Sequence, residues 1–406
     1  MYIKLLTLAA LCSPTLAQLA PPSLPLIPPM PAAWPTTKGP NGVIPDAFLA
    51  DPIVQTALAY VNAVVPAEYL AIPPSTYVAP CTVTYTADPV ANCYWPAALC
   101  TRNVDTVAMK ADVVTCPQPD TWGLTYDDGP SVNVVDGVNV NDTLALRRRL
   151  VAANNMKATF FVVGSNALRH PDELVAQKNE GHEIAMHTFT HSPATSLTTP
   201  QLVAELKYTE AIVYNATGLI PAMWRPPCGD IDDRVRAVAS ALGFTAVMWT
   251  TTPPRATRDA SVREKSPAEA ATILENVKTW FTTQPGFISL QHDIDAFTTG
   301  IAINILDAIT AVGPAFPLKI QPIGTCSGKP VYKNAAGSTS AATSTTTDPA
   351  SATPSATPTS DASTGSTNGV DAAPDSQKQS NTAATAPVST SMAAIAVAAI
   401  AFAALW

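Results

Sequence analysis

Two adjacent carboxylates, Asp127 and Asp128, end the segment Trp122-Gly123-Leu124-Thr125-Tyr126 and stand directly before Gly129-Pro130. An apolar run that stops at an acid pair and a Gly-Pro turn reads as a buried strand delivering acids to the edge of a sheet or barrel. Taken alone, the stretch is first of all a strand-ending turn, because Asp and Gly are ordinary turn residues. Three later stations change that reading: His187-Thr188-Phe189-Thr190-His191, then Arg225-Pro226-Pro227-Cys228-Gly229, then Leu290-Gln291-His292-Asp293. An acid pair, two histidines four apart, a guarded arginine and a late histidine suit a metal-assisted hydrolase.

If the strand leaves its sheet at the acid pair, the two carboxylates point different ways. One can then bind metal while the other reaches the water that attacks. His187 and His191 have the i,i+4 spacing that would put both rings on one side of a helical turn. With Asp128 they make two imidazoles and one carboxylate, and three protein ligands is the count of catalytic zinc sites that keep a position open for water. Three of the five histidines (His182, His187, His191) fall within ten positions. His182, ahead of the strand Glu183 to Met186, is expected as a packed or surface residue. Arg225, between Trp224 and two prolines, would hold Asp127 as a carboxylate. His292 ends an apolar strand and can give a proton to a leaving group; a core histidine with a satisfied hydrogen bond is the plainer reading of the same position.

The elements that must position these groups alternate. A strand runs through Leu124, then a helix from Leu144 to Ala153 and a strand from Ala158 to Val163. His170-Pro171 opens a helix closed by Gly181, and Pro200 opens an amphipathic helix reaching about Asn215. Met223-Trp224 is a brief strand, Asp232 to Leu242 a helix and Phe244 to Trp249 a strand. Ser266-Pro267-Ala268-Glu269 has helix-capping spacing. Phe287 to Leu290, Ala302 to Ala311 and Leu318 to Ile323 read as strand, helix, strand. Alternation of this kind predicts an α/β fold with parallel strands, either an open sheet or a barrel. Every chemical motif follows a strand, as in barrel enzymes, whose sites lie at the C-terminal strand ends.

Thr-Tyr-Asp-Asp-Gly, His-Thr-x-x-His, Arg-Pro-Pro and Leu-x-His, in this order over residues 118–325, resemble the polysaccharide deacetylases of carbohydrate esterase family 4. The resemblance implies a distorted (β/α) barrel of about seven strands, here over 116–326, that removes acetyl groups from N-acetylglucosamine residues of chitin. It implies Asp127 as base, Asp128, His187 and His191 as ligands of one Zn2+ or Co2+ per chain, His292 as acid and Arg225 as partner of the base. The backbone N–H of Cys228 would serve the oxyanion. Two departures stand out. The family usually has Tyr where this chain has Cys228, and its Asp-Thr-x-Asp-aromatic motif is eroded to Asp259-Ala260-Ser261-Val262-Arg263, which leaves Asp259 as a possible partner of His292. An acetyl-ester hydrolase on another polysaccharide such as xylan, and a weakly catalytic glycan-binding wall protein, are the alternatives.

The flanks carry different signals. Residues 1–17, with Lys4, the apolar run Leu5 to Leu11 and Thr15-Leu16-Ala17, read as a secretory signal peptide. That route is oxidising, so Cys81, Cys93, Cys100, Cys116, Cys228 and Cys326 are disulfide candidates, with Cys116 and Cys326 expected to clasp the two ends of the motif-bearing region. Residues 18–115 form an N-terminal extension: a Pro-rich stretch to about residue 40 expected as an extended linker, then an ordered part with a helix near Pro52 to Val65. From 335 to 390 the chain is Ser/Thr-rich and reads as a disordered, O-glycosylated stalk. Residues 391–406, an apolar terminus after Ser380-Asn381-Thr382, fit a GPI-attachment signal with Asn381 or Ser380 as the site. Asn141-Asp142-Thr143 and Asn215-Ala216-Thr217 are glycosylation sequons. These signals predict a secreted protein held at the outer face of the cell membrane by GPI and in the cell wall. Only 13% of residues are charged, 39 of 406 are proline and the net charge is -8, a balance that excludes a basic nucleic-acid-binding surface.

Overall fold

One extended, wholly buried segment begins the architecture: β1 (Thr121–Gly123) and β2 (Thr125–Asp127), interrupted only at Leu124. The computed structural model describes residues 23–334, so the signal segment 1–17, the stalk, and the tail with Ser380 and Asn381 lie outside the described residues. Downstream come β3 (Thr159–Val162), β4 (Glu183–Met186), β5 (Met223–Trp224), β6 (Thr245–Ala246), β7 (Phe287–Ile288) and β8 (Lys319–Gln321). Strands β2 to β6 form one five-stranded sheet in sequential order, and β1 lies between β7 and β8 in a second sheet of three. All these pairings are parallel. Strands covered on both faces need continuous apolar runs, which is what Thr-Phe-Phe-Val and Ile-Ala-Met supply.

The α/β class with parallel strands is thus as expected, and counting β1 and β2 as one segment gives seven. No continuous ladder closes the ring between β6 and β7. Isolated contacts cross the gap: Thr250 N–H to the Ile288 carbonyl at 3.1 Å, and a bridge at Leu290, whose N–H donates to the Arg255 carbonyl at 2.9 Å and whose carbonyl accepts from Thr257 N–H at 3.0 Å. Several strands are shorter than the sequence implies; β6 keeps two residues, and Val247 after it bridges Val113 while its N–H still donates to the Trp224 carbonyl at 2.8 Å.

The longer helices among the described residues are α1 (Pro52–Val64), α2 (Asp142–Ala152), α3 (Pro171–Asn179), α4 (Thr199–Thr217), α5 (Asp233–Ala241), α6 (Pro267–Lys278) and α7 (Ala296–Val312). α4 starts at a capping box between Thr198 and Gln201 and ends at Gly218, whose φ is 72°. α7 begins six residues earlier than its apolar pattern, because the Asp295 carboxylate accepts from the N–H groups of Phe297 and Thr298. With the turn that follows it, the helical stretch Ala296–Ala315 is long and apolar enough to cross a membrane, yet Ile301, Ile305, Leu306 and Ile309 are buried against the domain.

α4 is not amphipathic in place: almost every residue from Leu202 to Val213 is buried, because α1 covers its outer side. The N-terminal residues are therefore part of the domain core. Ile44, Ile53, Val54 and Val61 are fully buried, worth about 1.5–3 kcal/mol for each such side chain. Nor is the Pro-rich stretch a free linker over its described part. Trp34 packs on Tyr208 with ring centroids 6.3 Å apart, and Lys38 Nζ donates to the Thr190 carbonyl at 3.0 Å. Polar contacts add to this: Arg236 is buried, with Nε 3.0 Å from Asp112 and Nη1 2.7 Å from the Cys93 carbonyl. Three disulfides pair Cys81 with Cys228, Cys93 with Cys100, and Cys116 with Cys326. The last joins the two ends of 116–326, while Val113 and Tyr332 continue the fold beyond both.

Candidate active site

The site is built where β2, β4 and β5 run out, and β2 delivers the acids. Asp127 is the last residue of β2, its N–H donating to Gln291 O at 3.0 Å while Asp293 N–H donates to Asp127 O at 3.1 Å. Asp128 turns out of the strand with φ of 81°, which sends the two carboxylates different ways. Asp293 fixes the turn that follows. Its Oδ1 accepts from Gly129 N–H at 3.0 Å and its Oδ2 from Thr143 Oγ1 at 2.6 Å. A Cβ at Gly129 would lie 2.2 Å from the Asp293 carboxylate, so only glycine admits this contact. Burial pushes the Asp293 carboxyl up to about 7. Asp293 was visible beside His292, but turn-supporting roles across 160 residues have no local signature.

The histidine pair converges by a different route from the expected helical turn. Residues 187–191 are an irregular loop, with Thr188 and His191 at φ of 60° and 64°. A buried carboxylate holds this loop: Glu205 on α4 accepts from the Phe189 and Thr190 N–H groups, each at 2.7 Å, and from Thr190 Oγ1 at 2.6 Å. The two rings end with centroids 4.9 Å apart. His187 Nδ1 lies 2.8 Å from the Arg225 carbonyl; donating there leaves Nε2 bare and turned to Asp128, the state of a metal-ligating imidazole.

Asp128 Oδ1 is 3.2 Å from His187 Nε2 and 3.0 Å from His191 Nε2. Although both rings are close, this buried oxygen has no directed hydrogen bond. Ligand atoms about 2.0–2.1 Å from a tetrahedral ion stand roughly 3.3 Å apart, so the spacing and the orphaned oxygen both fit a cation among the three. Burial alone would raise the Asp128 carboxyl, but His191 and His187 hold it well below the usual carboxylate range. The three form one of the groups able to hold a metal ion among the described residues. The other is Cys81, His191 and Cys228, whose two sulfurs are joined in a disulfide.

Arg225 is wholly buried and fully committed. Its Nη1 donates to Asp127 Oδ1 at 2.7 Å and to Thr125 Oγ1 at 2.8 Å, and Nε and Nη2 each donate at 3.1 Å, to the Val247 and Met248 carbonyls. Phe161 stacks beneath the guanidinium at 4.1 Å. The other Asp127 oxygen stays available, 3.9 Å from His187 Nε2.

His292 is brought beside Asp127 by the 291–293 pairing. Its Nδ1 lies 2.7 Å from Asp259 Oδ1, and its own N–H donates to Asp259 Oδ2 at 3.1 Å. Thr257 Oγ1 donates to the same carboxylate at 2.8 Å. Burial would lower the imidazole pKa, but Asp259 outweighs it and holds His292 up at about 9. So Asp259 does reach His292 although the rest of its motif is gone.

Cys228 stands in a tight turn at φ of 59°. The turn's own bonds run from Gly229 N–H to the Pro226 carbonyl and from Asp230 N–H to the Pro227 carbonyl, using the N–H groups of the two residues that follow Cys228. Gly229 is pressed against Trp95 and Trp249, where a Cβ would approach both rings to 2.9 Å. His182 is packed, edge-on to Phe160 at 5.2 Å, and burial drives its pKa down to about 3. Of the sequons, Asn215 is exposed. Asn141 is engaged: its Oδ1 caps α2 at Leu144 N–H, 2.7 Å away, and its amide nitrogen donates to Glu173.

Residues 115–247 match the sequence model of the family described as polysaccharide deacetylase. That span includes Asp127, Asp128, His187, His191 and Arg225 and stops short of Asp259 and His292. Chitin deacetylase 1 of Cryptococcus neoformans var. grubii is 36% identical over 248 residues, 58% of this chain and 48% of that protein. Chitin deacetylase of Amylomyces rouxii is 41% identical over 158 residues, 39% of this chain and 35% of that protein. The chain thus spans about half, or less, of the length of these curated relatives. A solved chitin deacetylase from Colletotrichum lindemuthianum is 22% identical with a TM-score of 0.48, over 55% of this chain and 96% of that one. By its sequence match, residues 115–247 of this chain carry a domain of the polysaccharide deacetylase family.

Proposed function

We propose that the protein is a metal-dependent hydrolase that removes N-acetyl groups from N-acetylglucosamine residues of chitin, giving chitosan and acetate in fungal cell-wall remodelling. The observation that carries this reading is the convergence of a carboxylate (Asp127), a two-His-one-Asp group and an imidazole clamped by Asp259. The relatives named above, chitin deacetylases of fungi, support the substrate class. Zn2+ or Co2+ held by Asp128, His187 and His191 would polarise the acetyl oxygen and bring water toward neutral pKa. Arg225 occupies one oxygen of Asp127 and orients the other to take the proton of the attacking water. With Nδ1 tied to Asp259, His292 presents its second nitrogen to the substrate. Its raised pKa keeps a proton there at neutral pH for the departing amine. The Cys228 N–H supplies a fixed dipole for the oxyanion.

The same reading takes the enzyme to the cell surface, secreted by residues 1–17 and anchored by GPI at Asn381 or Ser380. Release from intact cells by phosphatidylinositol-specific phospholipase C tests the anchor; a mature protein retaining Met392 to Trp406 contradicts it. Acetate release from N-acetylglucosamine oligomers, glycol chitin and an acetylated xylan tests the activity. Release from the first two is expected, and release from xylan alone overturns the reading.

A further inference from the structure

The Cys81–Cys228 disulfide lies against the metal-ligating loop: each sulfur and a ring nitrogen of His191 all lie within 4.8 Å of one another. We propose that reduction of this disulfide creates a second metal site, Cys81-Cys228-His191, which competes with Asp128 and His187 for His191. The disulfide then acts as a guard that keeps two thiolates away from the catalytic ion. The proposal rests on Asp128, His187 and His191 being the resident metal ligands.

Three observations carry it. First, the two sulfurs and an imidazole already have the composition of a soft, zinc-selective site, in which thiolates outcompete a carboxylate for zinc or cobalt. Second, Cys81 would not drift away once the bond is broken, because its hairpin, Thr76–Ala79 with Thr82–Thr84, is pinned on both sides. Before it, Ser75 Oγ lies 2.7 Å from Thr195 Oγ1 and Ser75 N–H donates to the Thr195 carbonyl at 2.9 Å. After it, Tyr85 stacks on Tyr94 at 3.8 Å and its hydroxyl donates to Asp232 at 3.1 Å. Third, this is the disulfide a reductant meets first. Cys81 is the one exposed cysteine among the six, Cys228 and Cys100 are half-buried, and Cys93, Cys116 and Cys326 are buried.

The step balances as a two-electron reduction. A thiol or phosphine reductant supplies two electrons, the S–S bond breaks, and two protons give two thiols. Binding a divalent cation then releases those protons to solvent. The competition requires that ion to take His191 Nε2, the nitrogen that lies 3.0 Å from Asp128 Oδ1, which leaves Asp128 and His187 one ligand short.

The test uses the intact protein loaded with Co2+, before and after mild reduction, with alkylation and peptide mass analysis to show that only Cys81 and Cys228 have opened. The reduced protein should gain intense near-ultraviolet thiolate-to-cobalt absorption while still holding one cobalt per chain, and its acetate release should fall. The Cys81→Ser/Cys228→Ser variant, which cannot form the site, should show no such absorption under reductant and should keep metal at Asp128, His187 and His191. His191→Ala should lose the thiolate spectrum's three-ligand form. Reduced wild type with both thiols free but no thiolate absorption overturns the proposal, and two cobalt ions per reduced chain overturn the competition. Failure of the functional reading is distinct: no acetate from the oxidised protein, whatever the spectra.

Discussion

Asp259→Asn should move the alkaline edge of the activity profile rather than lower activity evenly. His292 is held up at about 9 against an ordinary 6.5, with Asp259 the largest raising influence and burial opposing it. A rise of that size is about 3 kcal/mol of preference for the protonated ring at ~1.4 kcal/mol per pH unit. Asparagine has no charge to supply it, so the imidazole should fall to about its ordinary value or below. The sign follows directly: a lower pKa means the acid is lost as pH rises from a lower starting point. At pH 8 an imidazole of pKa ~9 is roughly 90% protonated and one of pKa ~6.5 roughly 3%, a deficit of about 30-fold, whereas at pH 6 both are largely protonated. The assay is initial acetate release from an N-acetylglucosamine oligomer between pH 5.5 and 9.5, with melting temperature monitored, since Asp259 also accepts from Thr257 and Ala260. An Asp259→Asn enzyme depressed by one constant factor across this range would refute the reasoning.

Three further outcomes follow from the same geometry. His187→Ala should purify with metal well below one equivalent by elemental analysis, and metal content equal to wild type would remove His187 from the ligand set. Glu205→Gln should weaken metal retention on titration with a chelator by about 10–100-fold, the usual effect of loosening the shell that orients ligands, because Glu205 holds the loop between the histidines through three hydrogen bonds. Peptide mapping should find glycan on exposed Asn215 and little on Asn141, whose amide is spent on Glu173 and the α2 cap; the reverse occupancy would contradict this.

The chemistry was more legible in the sequence than the means of positioning it. Strand-ending acids, a histidine pair and an arginine between bulky neighbours are local patterns, and Asp127, Asp128, His187, His191 and Arg225 meet as their types imply. The i,i+4 spacing of the histidines points to a helical turn, whereas the structure has a loop with two left-handed residues, held by Glu205. A carboxylate acting from α4 on a loop fifteen positions earlier leaves no periodicity to read. Asp259 was legible only in part: the surrounding motif has eroded, yet its contact with His292 depends on one carboxylate and survives. The Pro-rich stretch to about residue 40 departs from expectation for a plainer reason. Proline richness argues for an extended backbone, and it does not show that Trp34 would find a partner in Tyr208. Nor could cysteine order reveal that Cys81 reaches Cys228 beside the metal group.

The central claim is that Asp127 is a base distinct from the metal ligands, and Asp127→Asn tests it most directly. Metal content should stay at wild-type level, since Asp128, His187 and His191 are untouched. Acetate release should fall by ~10²–10⁴-fold, the range general base catalysis contributes. Because Arg225 loses its buried counterion in this variant, the melting temperature is read alongside to confirm a folded protein. Wild-type acetate release from a folded, metal-loaded Asp127→Asn protein would contradict the account and leave Asp127 as the end of a strand.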